Sequence, residues 1–111
     1  MAQNRVTRGT AVVGALAVGT GSTIKGMKTG TASVNLPSIA NAESGSATFT
    51  VTGAAVGDVV IVNPPSLTTG LAFAGAAVTG ANTVTVYATN ASAAPINEAA
   101  KDFTYLWVDL T

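Results

Sequence analysis

Thr83-Val84-Thr85-Val86-Tyr87-Ala88 and Ser46-Ala47-Thr48-Phe49-Thr50-Val51-Thr52 decide the fold, because in both stretches apolar and hydroxyl side chains alternate with a period of two. A strand sends successive side chains to opposite faces, so this pattern gives one apolar and one polar face. It also favours the β-branched residues that dominate both stretches. Working outward, Ala32-Ser33-Val34-Asn35-Leu36 alternates in the same way. Asp58-Val59-Val60-Ile61-Val62 is a continuous apolar run of the kind expected of a strand covered on both sides. Leu71-Ala72-Phe73-Ala74 is a shorter candidate, and Phe103 to Leu110 closes the series. Pro37-Ser38, Gly53 and Gly57, Asn63-Pro64-Pro65, Gly70, Gly80-Ala81-Asn82 and Asn90 to Pro95 supply turns between them. Short strands with no amphipathic helix predict an all-β fold, an antiparallel β-sandwich of Ig-like or jelly-roll-like kind. Only Asn97 to Lys101 reads as a single helical turn.

The first 30 residues have a different character. Gly9, Gly14, Gly19, Gly21, Gly26 and Gly30 recur too densely for a helix. Arg5, Arg8, Lys25 and Lys28 lie there with no acid among them, whereas Glu43, Asp58, Glu98, Asp102 and Asp109 follow with Lys101 alone. Residues 1–30 therefore read as an extended cationic arm, and 31–111 as the sandwich domain. The arm's Val12, Val13, Leu16 and Val18 cannot be buried by the arm itself and are candidate interface residues, together with its four cations. Without interleaved aromatics these cations do not make a nucleic-acid site, and an acidic protein surface suits them better. The apolar run from Ala11 to Val18 is too short to cross a membrane and, with Gly14 inside it, is not expected to be a signal peptide.

Charged residues make up only 9% of the chain, against roughly a quarter in ordinary globular proteins. Such a surface is either coated with Ser and Thr or covered by other subunits, so a homo-oligomer is expected. Phe103, Tyr105 and Trp107 share one face of the last strand and are half of the chain's aromatic residues. They are either core or anchors for another subunit, while Leu106, Val108 and Leu110 line the opposite face.

Catalytic parts are scarce. With no His and no Cys, triads, Cys/His dyads, and imidazole or thiolate metal sites are ruled out, so no cofactor is expected. Glu98 and Asp102 are four apart but read as a solvated turn, and Asp58 as a turn residue. Gly19-Thr20-Gly21-Ser22-Thr23 lacks the lysine spacing of a phosphate loop, and Asn90-Ala91-Ser92 matches a glycosylation sequon too common to weigh.

The run Val51-Thr52-Gly53-Ala54-Ala55-Val56-Gly57-Asp58-Val59-Val60-Ile61-Val62-Asn63-Pro64-Pro65 resembles a module in structural proteins of tailed bacteriophages. So do Gly70-Leu71-Ala72-Phe73, Ala81-Asn82-Thr83-Val84-Thr85-Val86 and the final aromatic strand. The resemblance implies a β-sandwich on the virion, and a short chain with an arm is most like a capsid decoration (cement) protein. It implies the major capsid protein as partner, synthesis in the host cytoplasm and no catalytic residues. A tail, neck or fibre subunit, and a surface- or sugar-binding adhesion module, are the alternatives. The loops hold essentially no aromatics with which to stack on sugar.

Overall fold

The computed structural model describes residues 15–17, 19–21 and 23–110. Among the described residues there are six strands: β1 (Gly26–Val34), β2 (Ser44–Thr50), β3 (Val59–Asn63), β4 (Leu71–Gly80), β5 (Thr83–Asn90) and β6 (Lys101–Asp109). They form two antiparallel three-stranded sheets, ordered β1-β6-β3 and β2-β5-β4, packed as a sandwich. Among the described residues there is no helix, and Asn97–Ala100 is irregular rather than a helical turn.

Alternation places the core. Val84, Val86 and Ala88 point inward from β5, the centre of its sheet, and are fully buried. Phe49 on β2 and Val78 on β4 flank Val84 in register. From the other sheet Phe103, Tyr105 and Trp107 point inward along β6, also a central strand. Tyr105 lies against Phe49 with ring centroids 5.3 Å apart, and Phe103 against Phe73 at 6.3 Å. Tyr105 needs the space that Gly30 leaves: a Cβ at Gly30 would come within 2.6 Å of its hydroxyl.

Three strands differ from their sequence-based expectations. β1 begins at Gly26 rather than after residue 30, because Gly26–Gly30 continue the pairing with β6 as far as Asp109. β4 runs on past Ala74 to Gly80, with register shifts at Phe73/Gly75 and Val78/Gly80. β3 belongs to one layer of a two-layer sandwich, so its apolar run is covered on one face only.

The core makes a direct prediction. Val84→Asp or Val86→Asp buries an unpaired carboxylate at a fully covered site, a cost of several kcal/mol that a domain of this size cannot absorb. Circular dichroism is expected to show loss of the cooperative thermal transition, whereas a native melting curve would mean that the β5 register is wrong.

Candidate docking face

The outward faces of the two sheets differ in chemistry. On β2-β5-β4 the outer rows carry Ser46 beside Tyr87, Thr48 beside Thr85 and Ala77, and Thr50 beside Thr83. Hydroxyls bond across the surface, Thr79 to Thr85 at 2.7 Å and Ser44 to Thr89 at 3.4 Å. This face is mainly hydroxyl-bearing, with Thr85 itself buried and Tyr87 exposed. On β1-β6-β3 the register sets Met27, Val108 and Val59 in one row, and Thr29, Leu106 and Ile61 in the next. Met27 is 56% exposed, Val59 43% and Ile61 60%, with Leu106 and Val108 partly covered between them. Thr31, Thr104 and Asn63 form the third row; Asp102, beside Ser33, is a charge at this end of the face, and the exposed Lys25 precedes Met27 at the other. Val56 adds another exposed side chain in the turn that leads into β3.

The turn between Val51 and Val59 builds the end of this sheet. Gly53 adopts φ +97°, and a Cβ there would come within 3.1 Å of the Trp107 ring. Asp58 is more than a turn residue: its carboxylate accepts from the Ala55 amide (3.0 Å), the Trp107 indole N–H (3.0 Å) and the Leu110 amide (3.1 Å). One side chain thereby closes the turn before β3 and ties both to the end of β6.

The predicted interface residues separate into three groups. Arg5, Arg8, Val12, Val13 and Val18 lie outside the described residues. Leu16, Lys25 and Lys28 are exposed. Leu16 pairs with Ile24 through reciprocal backbone bonds of 2.7 and 2.6 Å, across a turn that includes Gly19 at φ +61°. Phe103, Tyr105 and Trp107 are 1%, 7% and 8% exposed, so they are core and not anchors for a partner. A central strand between two neighbours has no other place for its inward face. The exposed residues are those on the opposite side of the same strand and its neighbours. Their signal was the unbroken apolar run of β3 and the two-sided apolar pattern of β6.

The polar candidates are structural. Asn90 is fully buried; its amide donates to the Ile39 and Ala94 carbonyls and its oxygen accepts from the Ser92 amide and hydroxyl. In the folded chain that sequon cannot present its nitrogen to a glycan. Glu98 is also buried, at 4% exposure, rather than solvated. It pairs with Lys101 at 2.6 Å and accepts from the Thr68 amide at 2.9 Å, while Lys101 donates to the Ser66 carbonyl. The bonds from Lys101 and Thr68 outweigh burial and lower its pKa from 4.5 to about 2. Among the described residues no three metal-ligating side chains cluster, and no helix is long and apolar enough to cross a membrane. Comparison of the chain with protein-family models, with curated proteins and with solved structures finds no match in any of the three.

Two predictions follow from these side chains. Because the folded pKa of Glu98 lies below its unfolded value, its stabilisation is complete above about pH 4.5 and disappears as pH falls towards 2. Glu98→Gln is expected to cost about 1–3 kcal/mol at pH 7. Denaturant titrations should show the variant and the parent converging near pH 2; a gap independent of pH would contradict the ion pair. Ile61→Asp, on the exposed face, is expected to change stability by under about 1 kcal/mol in the same titration. A loss as large as that of Val86→Asp would mean that the face is not open.

Proposed function

We propose that this chain is a non-enzymatic virion protein that decorates a bacteriophage capsid and stabilises it by bridging neighbouring major-capsid subunits. The observation that carries the proposal is the apolar outer face of β1-β6-β3, beside an opposite face coated with hydroxyls. A hydroxyl coat keeps its hydration and belongs towards solvent. A largely aliphatic face, with charges only at its two ends (Lys25 before Met27, and Asp102 beside Ser33), gains by being covered. The resemblance of Val51–Pro65 and Ala81–Val86 to phage structural modules supports a capsid lattice as the surface that covers it. The cationic segment containing Arg5 and Arg8 supplies a second, electrostatic attachment.

The size of the face fits repeated weak contacts. Three strands about 4.8 Å apart, each presenting about five residues of ~3.3 Å, cover roughly 250 Å². A stable one-to-one complex buries about 800 Å² on each partner. A single contact through this face is therefore weak, and firm attachment needs several contacts made together, which a lattice offers and a lone partner does not.

Counting copies per purified particle by quantitative mass spectrometry tests the reading. Decoration requires hundreds of copies, whereas a handful would make the chain a tail or neck component. Ile61→Asp is expected to lower capsid occupancy about tenfold or more, since each factor of ten needs only about 1.4 kcal/mol. Arg5→Ala/Arg8→Ala is expected to weaken attachment at low salt more than at high salt. Wild-type occupancy by Ile61→Asp would remove this face from the contact.

A further inference from the structure

Sheet edges template pairing with other chains, and natural proteins usually blunt them with short strands, prolines, bulges or an inward charge. Among the described residues the edge strands are β1 and β3 in one sheet, and β2 and β4 in the other. β3 stops after five residues at Asn63-Pro64-Pro65, and β4 shifts register twice. On β1 the register sets Lys28 beside Trp107, so a charge stands on the inner side of that edge. β2 differs from all three. Ser44–Thr50 holds no proline and no charge, and its register against β5 is unbroken.

Hydrogen bonds at the two ends of β2 show which of its backbone groups are spare. The Glu43 carbonyl accepts from the Asn90 amide, and the Val51 amide donates to the Asn82 carbonyl. Backbone groups alternate along an antiparallel strand, so Gly45, Ala47 and Phe49 also turn theirs towards β5. Ser44, Ser46, Thr48 and Thr50 then aim their N–H and C=O groups away from the sheet. Among the described residues no strand or bridge pairs with that side.

We propose that the β2 edges of two copies pair antiparallel about a two-fold axis, joining their β2-β5-β4 sheets into one continuous sheet. A second copy is the occupant because this strand matches its own reverse. About Ala47, Ser46 mirrors Thr48 and Ser44 mirrors Thr50. Centred there, the outward-directed residues fall opposite one another: Ser44 with Thr50 of the second copy, and Ser46 with its Thr48. These pairs exchange backbone bonds and set hydroxyl beside hydroxyl on the outer face, a favourable cross-strand combination. On the inner face Ala47 meets Ala47, and Phe49 meets Gly45 of the second copy. Phe49 stays against Tyr105, and Ile39 fills the space over Gly45, so each core keeps its own side chains. A symmetric edge contact of this kind closes as a dimer. Its axis is normal to the sheet, so both apolar β1-β6-β3 faces point the same way. That last consequence bears on the capsid reading, whereas the pairing itself does not depend on it.

Amide exchange of the full-length protein at high and low concentration tests the pairing. Ser46, Thr48 and Thr50 amides are expected to exchange about tenfold slower in the concentrated sample, while Ala47 and Phe49 stay equally slow in both. Fast exchange at these three positions in both samples would overturn the proposal. Protection independent of concentration would overturn it too, by assigning the edge to a segment of the same chain. The chain has no cysteine, so the register can be tested by mixing Ser46→Cys protein with Thr48→Cys protein under oxidation. Opposed positions are within disulfide reach, so the mixed disulfide is expected to form about tenfold faster than either homotypic one. Homotypic disulfides forming as fast, or no disulfide at all, would contradict the pairing. Thr48→Pro removes a donor that faces away from β5. It is expected to sediment as a monomer at concentrations where the parent is a dimer, with its cooperative melting retained.

Discussion

A strand cannot send two successive side chains to the same face, and on β6 this constraint determines most of the molecule. Phe103, Tyr105 and Trp107 bring half of the chain's aromatic residues into the sandwich, where they meet Phe49 and Phe73 on the other sheet. Small sheets of three strands each leave few other large side chains to fill the space between them. Once these three are seated, Leu106 and Val108 must face outward. The neighbouring strands add Met27, Val59 and Ile61 in register, and the exposed apolar face results. Core and exposed apolar face are thus two sides of one strand.

The polar side chains hold that arrangement in place. Asp58 joins the β2–β3 turn to the Trp107 indole and the Leu110 amide, fixing the end of β6 that carries the exposed rows. Glu98 and Lys101 do the same at the other end, gathering the Ser66–Thr68 backbone beside the start of β6. Asn90 closes the loop after β5 with four hydrogen bonds. Each of these residues resembles a possible functional group in the linear sequence. Each is instead occupied in bonding backbone that no strand satisfies, as buried polar groups must be.

Much of the fold was legible because alternation is a local property. β2, β5 and β6 follow from Ser46–Thr52, Thr83–Ala88 and Phe103–Leu110 almost directly. Where local pattern and tertiary position diverge, the reading fails. Gly26–Gly30 has no alternating apolar signal, since Gly30 contributes space for Tyr105 rather than a side chain. Gly75-Ala76-Ala77 continues β4 through a bulge although its composition suggests a turn. An apolar run such as Val59–Val62 cannot declare whether its second face meets a layer of the same chain or another surface. The same ambiguity hid the exposed apolar face: β6 is apolar on both sides, and only the packing shows that the aromatic side is inward. Glu98 was misread because Thr68, whose amide donates to it, lies thirty residues earlier in the chain.

The central claim is one of orientation: the β1-β6-β3 face meets the particle and the hydroxyl face meets solvent. Met27 and Tyr87 mark the two faces and are both exposed in the free subunit. Hydroxyl-radical footprinting of the free protein and of intact virions, read by mass spectrometry, compares them in a single measurement. The account predicts that Met27 is protected from oxidation on the particle while Tyr87 reacts as it does in the free protein. Protection of Tyr87 with Met27 still reactive would contradict it.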